Sequence, residues 1–121
     1  RLEEIMIRVL ADFGVVGRQN HSRGRGVWVG PDKIGSVGVA VRRWITYHGF
    51  SLNYNPIEEH LEYITPCGLV GVRMTSLRRL TGSSPDPNYL RSRAAHHFRQ
   101  IFKMDLVPIG LNEMEVLLCN E

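Results

Sequence analysis

A chain of 121 residues, 43% hydrophobic and 22% charged, has the composition of one globular domain rather than two. No stretch approaches the roughly 20 apolar residues a membrane helix needs, and Arg1-Leu2-Glu3-Glu4 opens no apolar signal segment, so neither a membrane nor a secreted protein is expected. Cys67 and Cys119 are too few for a disulfide scaffold or a cysteine zinc site, and a net charge of +3 favours acidic partners without demanding nucleic acid.

Residue 1 is Arg rather than Met, as in a fragment or a processed form. Residues 1–13 carry Leu2, Ile5, Met6, Val9, Leu10 and Phe13 at the spacing of one helical face, and Gly14 closes that helix. Residues 18–26, rich in Arg and Gly, read as a polar basic loop. Val27-Trp28-Val29 is a short apolar run before a Gly30-Pro31-Asp32 turn. Val37, Val39 and Val41 then alternate with Gly38, Ala40 and Arg42, the period of a half-buried strand. Arg43-Trp44 breaks the alternation and Thr46 to Tyr54 resumes it, which gives two strands joined tightly.

Pro56 ends that run, and Ile57, Leu61 and Ile64 indicate a short helix before the loop Thr65-Pro66-Cys67-Gly68. Residues 82–88 form a connector into a second helix at about 88–103, with Leu90, Ala94, His97, Phe98 and Ile101 on one face. Leu106 to Ile109 and Glu115 to Leu118 are short strand candidates. The expected class is α+β, a mixed sheet flanked by helices, as a single domain over 1–121.

Cys67 stands out chemically. A free cysteine is usually a small buried hydrophobe, and Cys119, after an apolar run, fits that description. Pro66-Cys67-Gly68 is loop chemistry instead, and on local sequence alone the two readings of Cys67 balance. A nucleophilic thiol needs a neighbouring cation or base, and Lys33 and His48 are the candidates. Taken alone, Lys33 reads as a solvated strand-edge lysine and His48 as a core histidine. Gly35, Gly38 and Gly49 interrupt the strands, which marks either bulges or close approach by another backbone or a ligand.

Four segments carry more together than apart: Lys33-Ile34-Gly35-Ser36-Val37-Gly38, Thr46-Tyr47-His48-Gly49-Phe50-Ser51-Leu52-Asn53, Pro66-Cys67-Gly68-Leu69 and Thr75-Ser76-Leu77. In order and approximate spacing across 27–77 they resemble the lipoyl(octanoyl) transferase family, which has the biotinyl/lipoyl protein ligase fold. The resemblance implies that Cys67 is the nucleophile taking an octanoyl group from octanoyl-acyl carrier protein as a thioester. It implies that Lys33 lowers the thiol pKa and handles protons. Ser36, Val37 and Gly38, with His48, Gly49, Phe50 and Ser51, would line the acyl pocket. The acceptor would be a lysine on the lipoyl domains of 2-oxoacid dehydrogenases or on the glycine cleavage H protein.

The resemblance calls for no metal and no cofactor, and for neither a nucleic-acid nor a membrane partner. It implies a bacterial cytoplasm, or a mitochondrion in a eukaryote. Acidic carriers would suit Arg18, Arg23, Arg25, Arg42 and Arg43. The family's upstream Arg-Gly-Gly and Tyr-His-Gly-Pro-Gly-Gln segments have no match here. This chain therefore corresponds to the C-terminal part of the family domain, with the other half expected upstream or on another chain.

Three other readings compete. The first is a noncatalytic fragment of the same fold that docks carrier proteins. The second is a nucleic-acid binder using Arg18 to Arg25 with Trp28 and Tyr47 as stacking residues. The third, a ligase of the same fold, would require an ATP-binding lysine motif that the sequence does not offer.

Overall fold

The computed structural model describes residues 1–63, 65–68 and 70–119, without the side chains of Glu58, Cys67 and residues 117–119. The periodic apolar face at the N-terminus forms helix α1, Leu2–Asp12. Ile5, Met6, Val9 and Leu10 are fully buried on it, and each such side chain contributes roughly 1.5–3 kcal/mol of transfer free energy. The helix stops where Gly14 turns at φ +73° and Val15 N–H returns to the Leu10 carbonyl at 3.0 Å.

Among the described residues, β1 (Arg18–Gln19), β2 (Val27–Val29), β3 (Asp32–Arg42) and β4 (Ile45–Leu52) form an antiparallel sheet in sequence order. The α+β class and the paired strands agree with the sequence. The parallel component of the expected mixed sheet is one bridge between Lys33 and Met74. The stretch 18–26 is not wholly loop: Arg18 and Gln19 pair with Trp28 and Val27, and His21–Arg23 makes a 3-10 turn. Two paired residues between polar neighbours leave no periodicity to read.

The β3–β4 hairpin turns through Arg43 and Trp44, both left-handed at φ 50° and 65°. That is the geometry which matches the twist of a tight hairpin. Its burial departs from the half-buried expectation. Lys33, Ile34 and Gly35 are buried in succession, so both faces of β3 are covered at its start. Val39 and Val41 are 44% and 61% exposed, because the helices do not cover the far end of the ribbon.

Helix α2 (Glu58–Glu62) falls where the Ile57 and Leu61 spacing put it, although Ile64 lies outside the described residues. Helix α3 (Leu77–Thr81) has too few residues to show a period, but it carries a cap signal: Ser76 Oγ accepts from Arg79 N–H at 3.2 Å. Helix α4 (Pro87–Phe102) starts one residue before the expected range, with Asp86 as cap and Pro87 in the first turn. Its Leu90, Ala94, Phe98 and Ile101 pack against the α1 core.

The C-terminal strand candidates are not strands. Residues 104–110 have no regular structure, and Glu115 to Leu118 lie within helix α5 (Leu111–Cys119). The helix begins where Gly110 N–H donates to the Glu113 carboxylate at 2.9 Å. This stretch of Leu, Glu and Met, with Val116 its one β-branched residue, favours a helix over an unpartnered strand.

Candidate active site

Lys33 is 0% exposed, so the solvated strand-edge reading is wrong. It lies one residue into β3, where the main chain is held on both sides. Its N–H donates to the Arg73 carbonyl and its carbonyl accepts from Thr75 N–H, each at 2.9 Å. Its ammonium lies 5.7 Å from the centre of the Trp28 indole. Gly26, at φ +136°, borders the same side chain: a Cβ there would sit 2.7 Å from Lys33 Cε and run into the Gly35 carbonyl. The Glu3 carboxylate on α1 accepts from Gly26 N–H at 2.8 Å and fixes that crossing.

Asn53 joins three of the four sequence segments. Its N–H donates to the Ile34 carbonyl at 2.9 Å, its side-chain amide donates to the Thr75 carbonyl at 3.2 Å, and its own carbonyl accepts from Leu77 N–H at 3.0 Å. Thr75, Ser76 and Leu77 are buried around this junction. The main chain of Thr75 and Leu77 thus holds the sheet to the chain returning from the cysteine loop. Neither Asn53 nor Thr75 had a periodic signal to mark that role.

Cys67 lies in a 3-10 turn, Pro66–Gly68, closed by Gly68 N–H on the Thr65 carbonyl at 3.3 Å, with Gly68 at φ +70°. The Cys67 side chain is outside the description, as is that of Cys119. Gly68, Val70, Gly71 and Val72 line one side of a groove of about 360 Å³ whose other side is Ser22 and Arg23. Arg23 lies 5.6 Å over the Trp28 ring and donates to the Pro31 carbonyl at 3.1 Å. Trp28 is 2% exposed beneath it, which removes it as a platform for stacking nucleic-acid bases.

The residues expected to line an acyl pocket meet across the hairpin. Ser36 pairs with Ser51, Val37 with Phe50, Gly38 with Gly49, and Val39 with His48. Val37 and Phe50 pack toward the core under α1, while Ser36 is half-buried and Ser51 exposed. His48, Gly49 and Phe50 line a groove of about 660 Å³ together with Leu2, Phe98 and Phe102. Val37 and Gly38 line a second groove of about 620 Å³ with Arg25.

The three strand glycines divide. A Cβ on Gly35 would lie 2.5 Å from Met6 Sδ, so that glycine admits α1 against the sheet. A Cβ on Gly38 or Gly49 would meet nothing within 4 Å. This pair leaves a bare patch of backbone rather than relieving a clash.

Over residues 1–99 the sequence matches the lipoyl protein ligase A/B catalytic domain. The chain belongs to that family. Within it, the chain is similar to proteins named octanoyltransferase. That of Syntrophobacter fumaroxidans is 47% identical over 117 residues, covering 97% of this chain and 51% of the relative. That of Caldicellulosiruptor bescii is 40% identical over 118 residues, covering 97% and 52%. That of Desulfotalea psychrophila is 48% identical over 94 residues, covering 76% and 42%. The chain spans about half the length of the curated relatives it matches. No helix of the described residues is long and apolar enough to cross a membrane.

Proposed function

We propose that this chain supplies the cysteine and lysine of an octanoyltransferase, moving an octanoyl group from acyl carrier protein to a lysine of a lipoyl domain. The observation that carries the reading is the complete burial of Lys33, bridged to the segment that returns from the Pro66-Cys67-Gly68 turn. A fully buried lysine on an otherwise arginine-rich chain is costly unless a partner or a reaction uses it. The octanoyltransferase relatives support the same chemistry.

In the first step the Lys33 ammonium favours thiolate on Cys67 by Coulomb attraction. The thiolate attacks the carbonyl of the carrier's acyl thioester, a new carbon–sulfur bond forms, and the carrier's thiolate leaves and takes its proton from the Lys33 ammonium, which becomes the neutral amine. In the second step the acceptor lysine amine attacks the Cys67 thioester. The amide bond forms, the Cys67 sulfur departs with the electron pair, and the Lys33 amine takes the proton lost from the attacking nitrogen. One nucleophile serving two substrates in turn gives ping-pong kinetics.

The bare Gly38–Gly49 patch is the proposed rest for the alkyl chain, with the Ser36–Ser51 pair next to it on the same face of the hairpin. Both carriers are acidic, which suits exposed Arg18, Arg23 and Arg25, and a bacterial cytoplasm supplies both.

The test is intact mass after mixing with octanoyl-acyl carrier protein, on this chain and on a form extended upstream, with Cys67→Ala as control. A hydroxylamine-labile octanoyl adduct that the control lacks is expected. Acylation of the extended form alone assigns the other pocket wall to the upstream half. Failure of both forms leaves the carrier-docking reading in place of the enzyme.

A further inference from the structure

We propose that Trp28 is a positioning residue for Lys33: its indole face holds the ammonium where the Cys67 thiolate needs it. This rests on the cysteine–lysine reading above and adds to it a residue with no assigned role in the chemistry. Three observations meet at this side chain. Trp28 is 2% exposed and its neighbour Lys33 is 0% exposed, so the cation and the ring share a dry environment. The ammonium stands 5.7 Å from the ring centre, within the range where the ring quadrupole attracts a cation. Finally, the indole N–H has no hydrogen-bond partner among the described residues, although it is buried.

A ring retained for packing alone would be served by phenylalanine, without the cost of an unpaired buried donor. Trp presents the most electron-rich face of the aromatic side chains and binds cations best. Gly26 completes the arrangement: with no side chain and no room for one, it lets its backbone border Lys33 Cε and Nζ. Among the described residues, the charged groups near this pair include Arg23, 5.6 Å over the same indole, Glu3 on Gly26 N–H, and the Asp32–Arg73 ion pair beside the strand entry. Arg23 is exposed and bonded to the Pro31 carbonyl, so it covers the ring from the solvent side of the protein.

The readout is the rate of Cys67 alkylation by iodoacetamide against pH, in a Cys119→Ser background. Lys33→Met raises the midpoint of this profile. If it does not, the cysteine–lysine reading fails, and the role of Trp28 fails with it. Given that rise, Trp28→Leu slows alkylation at neutral pH by about 3- to 10-fold, and Trp28→Phe recovers part of the loss. An unchanged rate in Trp28→Leu overturns the positioning role and leaves the pair standing.

Should Trp28→Leu lose its circular dichroism signal, fluorinated tryptophan in a Trp44→Phe background decides instead. Fluorine withdraws charge from the ring face and keeps its shape. The rate then falls with each added fluorine, and in a Lys33→Met background it does not. A rate independent of fluorination overturns the proposal.

Discussion

The Asp12 carboxylate at the end of α1 lies 2.8 Å from His97 Nε2 on α4 and 2.7 Å from Arg93 Nε on the same helix. Three side chains from two helices meet there, at the seam where α1 and α4 close over the sheet. Arg93 is the strongest influence on the carboxyl group, followed among the favourable ones by His97, and together they hold it below its ordinary value of 3.8 despite partial burial. The Arg93 guanidinium is raised in turn by its bond to Asp12.

Because the folded carboxyl is depressed, its stabilisation is complete above the unfolded value near 3.8 and is lost as pH falls through the lowered folded value. Asp12→Asn is expected to cost about 1–3 kcal/mol at neutral pH, as for a charge-assisted hydrogen bond. The difference from the parent closes as the solution is taken below about pH 4. Thermal melts of both proteins across pH 2–7 check this. A gap that stays constant with pH would show that the carboxylate charge contributes nothing.

The hairpin turn offers a stabilising change. Arg43 and Trp44 both adopt left-handed backbone, and Trp44 is 97% exposed, so little packing is lost with it. Replacing the pair with Asn-Gly, which takes this turn without strain, is expected to add about 1–2 kcal/mol in urea denaturation. No gain would mean that the two side chains find compensation elsewhere.

His48 sits at φ +71° inside β4, opposite Val39 and on the rim of the large groove. His48→Gly removes that strain and is expected to raise stability by up to about 1 kcal/mol. If the imidazole serves the acyl site, octanoyl transfer falls in the same variant. Raised stability with transfer undiminished would place His48 outside the site.

The Gly38–Gly49 pair separates the demands of fold and substrate. Both Cβ positions open onto free space. The double change to Ala is therefore expected to keep or slightly raise the melting temperature, since Gly weakens a strand by roughly 0.5–1 kcal/mol relative to Ala. Octanoylation of Cys67 followed by intact mass should slow about tenfold if the alkyl chain lies on this patch, in line with about 1.4 kcal/mol of lost transition-state binding. An unchanged rate would move the acyl chain elsewhere.

Much of the fold was legible where periodicity is strong. α1 and α4 were visible because one apolar face recurs over three or more turns, and β3 and β4 because Val alternates over 37–41 and the alternation resumes from Thr46 after Arg43-Trp44. The short pieces were not: β1 pairs only two residues and α3 has one buried apolar position. Residues 115–118 show the opposite error, since four apolar or acidic residues read alone fit a strand as well as a helix. Only the flanking Leu111 and Glu113 settle it.

The sequence by itself determined the family pattern and the residue types available to the chemistry, since motif order is a property of the chain. It marked Lys33 and Cys67 and paired Ser36-Val37-Gly38 with Gly49-Phe50-Ser51 by motif. Tertiary structure alone decided that Lys33 is buried, because that depends on Trp28, Gly26 and the returning Arg73–Thr75 segment arriving together, from positions up to 49 residues apart in the chain. It also separated Gly35, filled by Met6 of α1, from Gly38 and Gly49, which face open space. A glycine looks the same in sequence whether a helix fills its surroundings or a ligand can, and only the packing of distant elements tells the two apart.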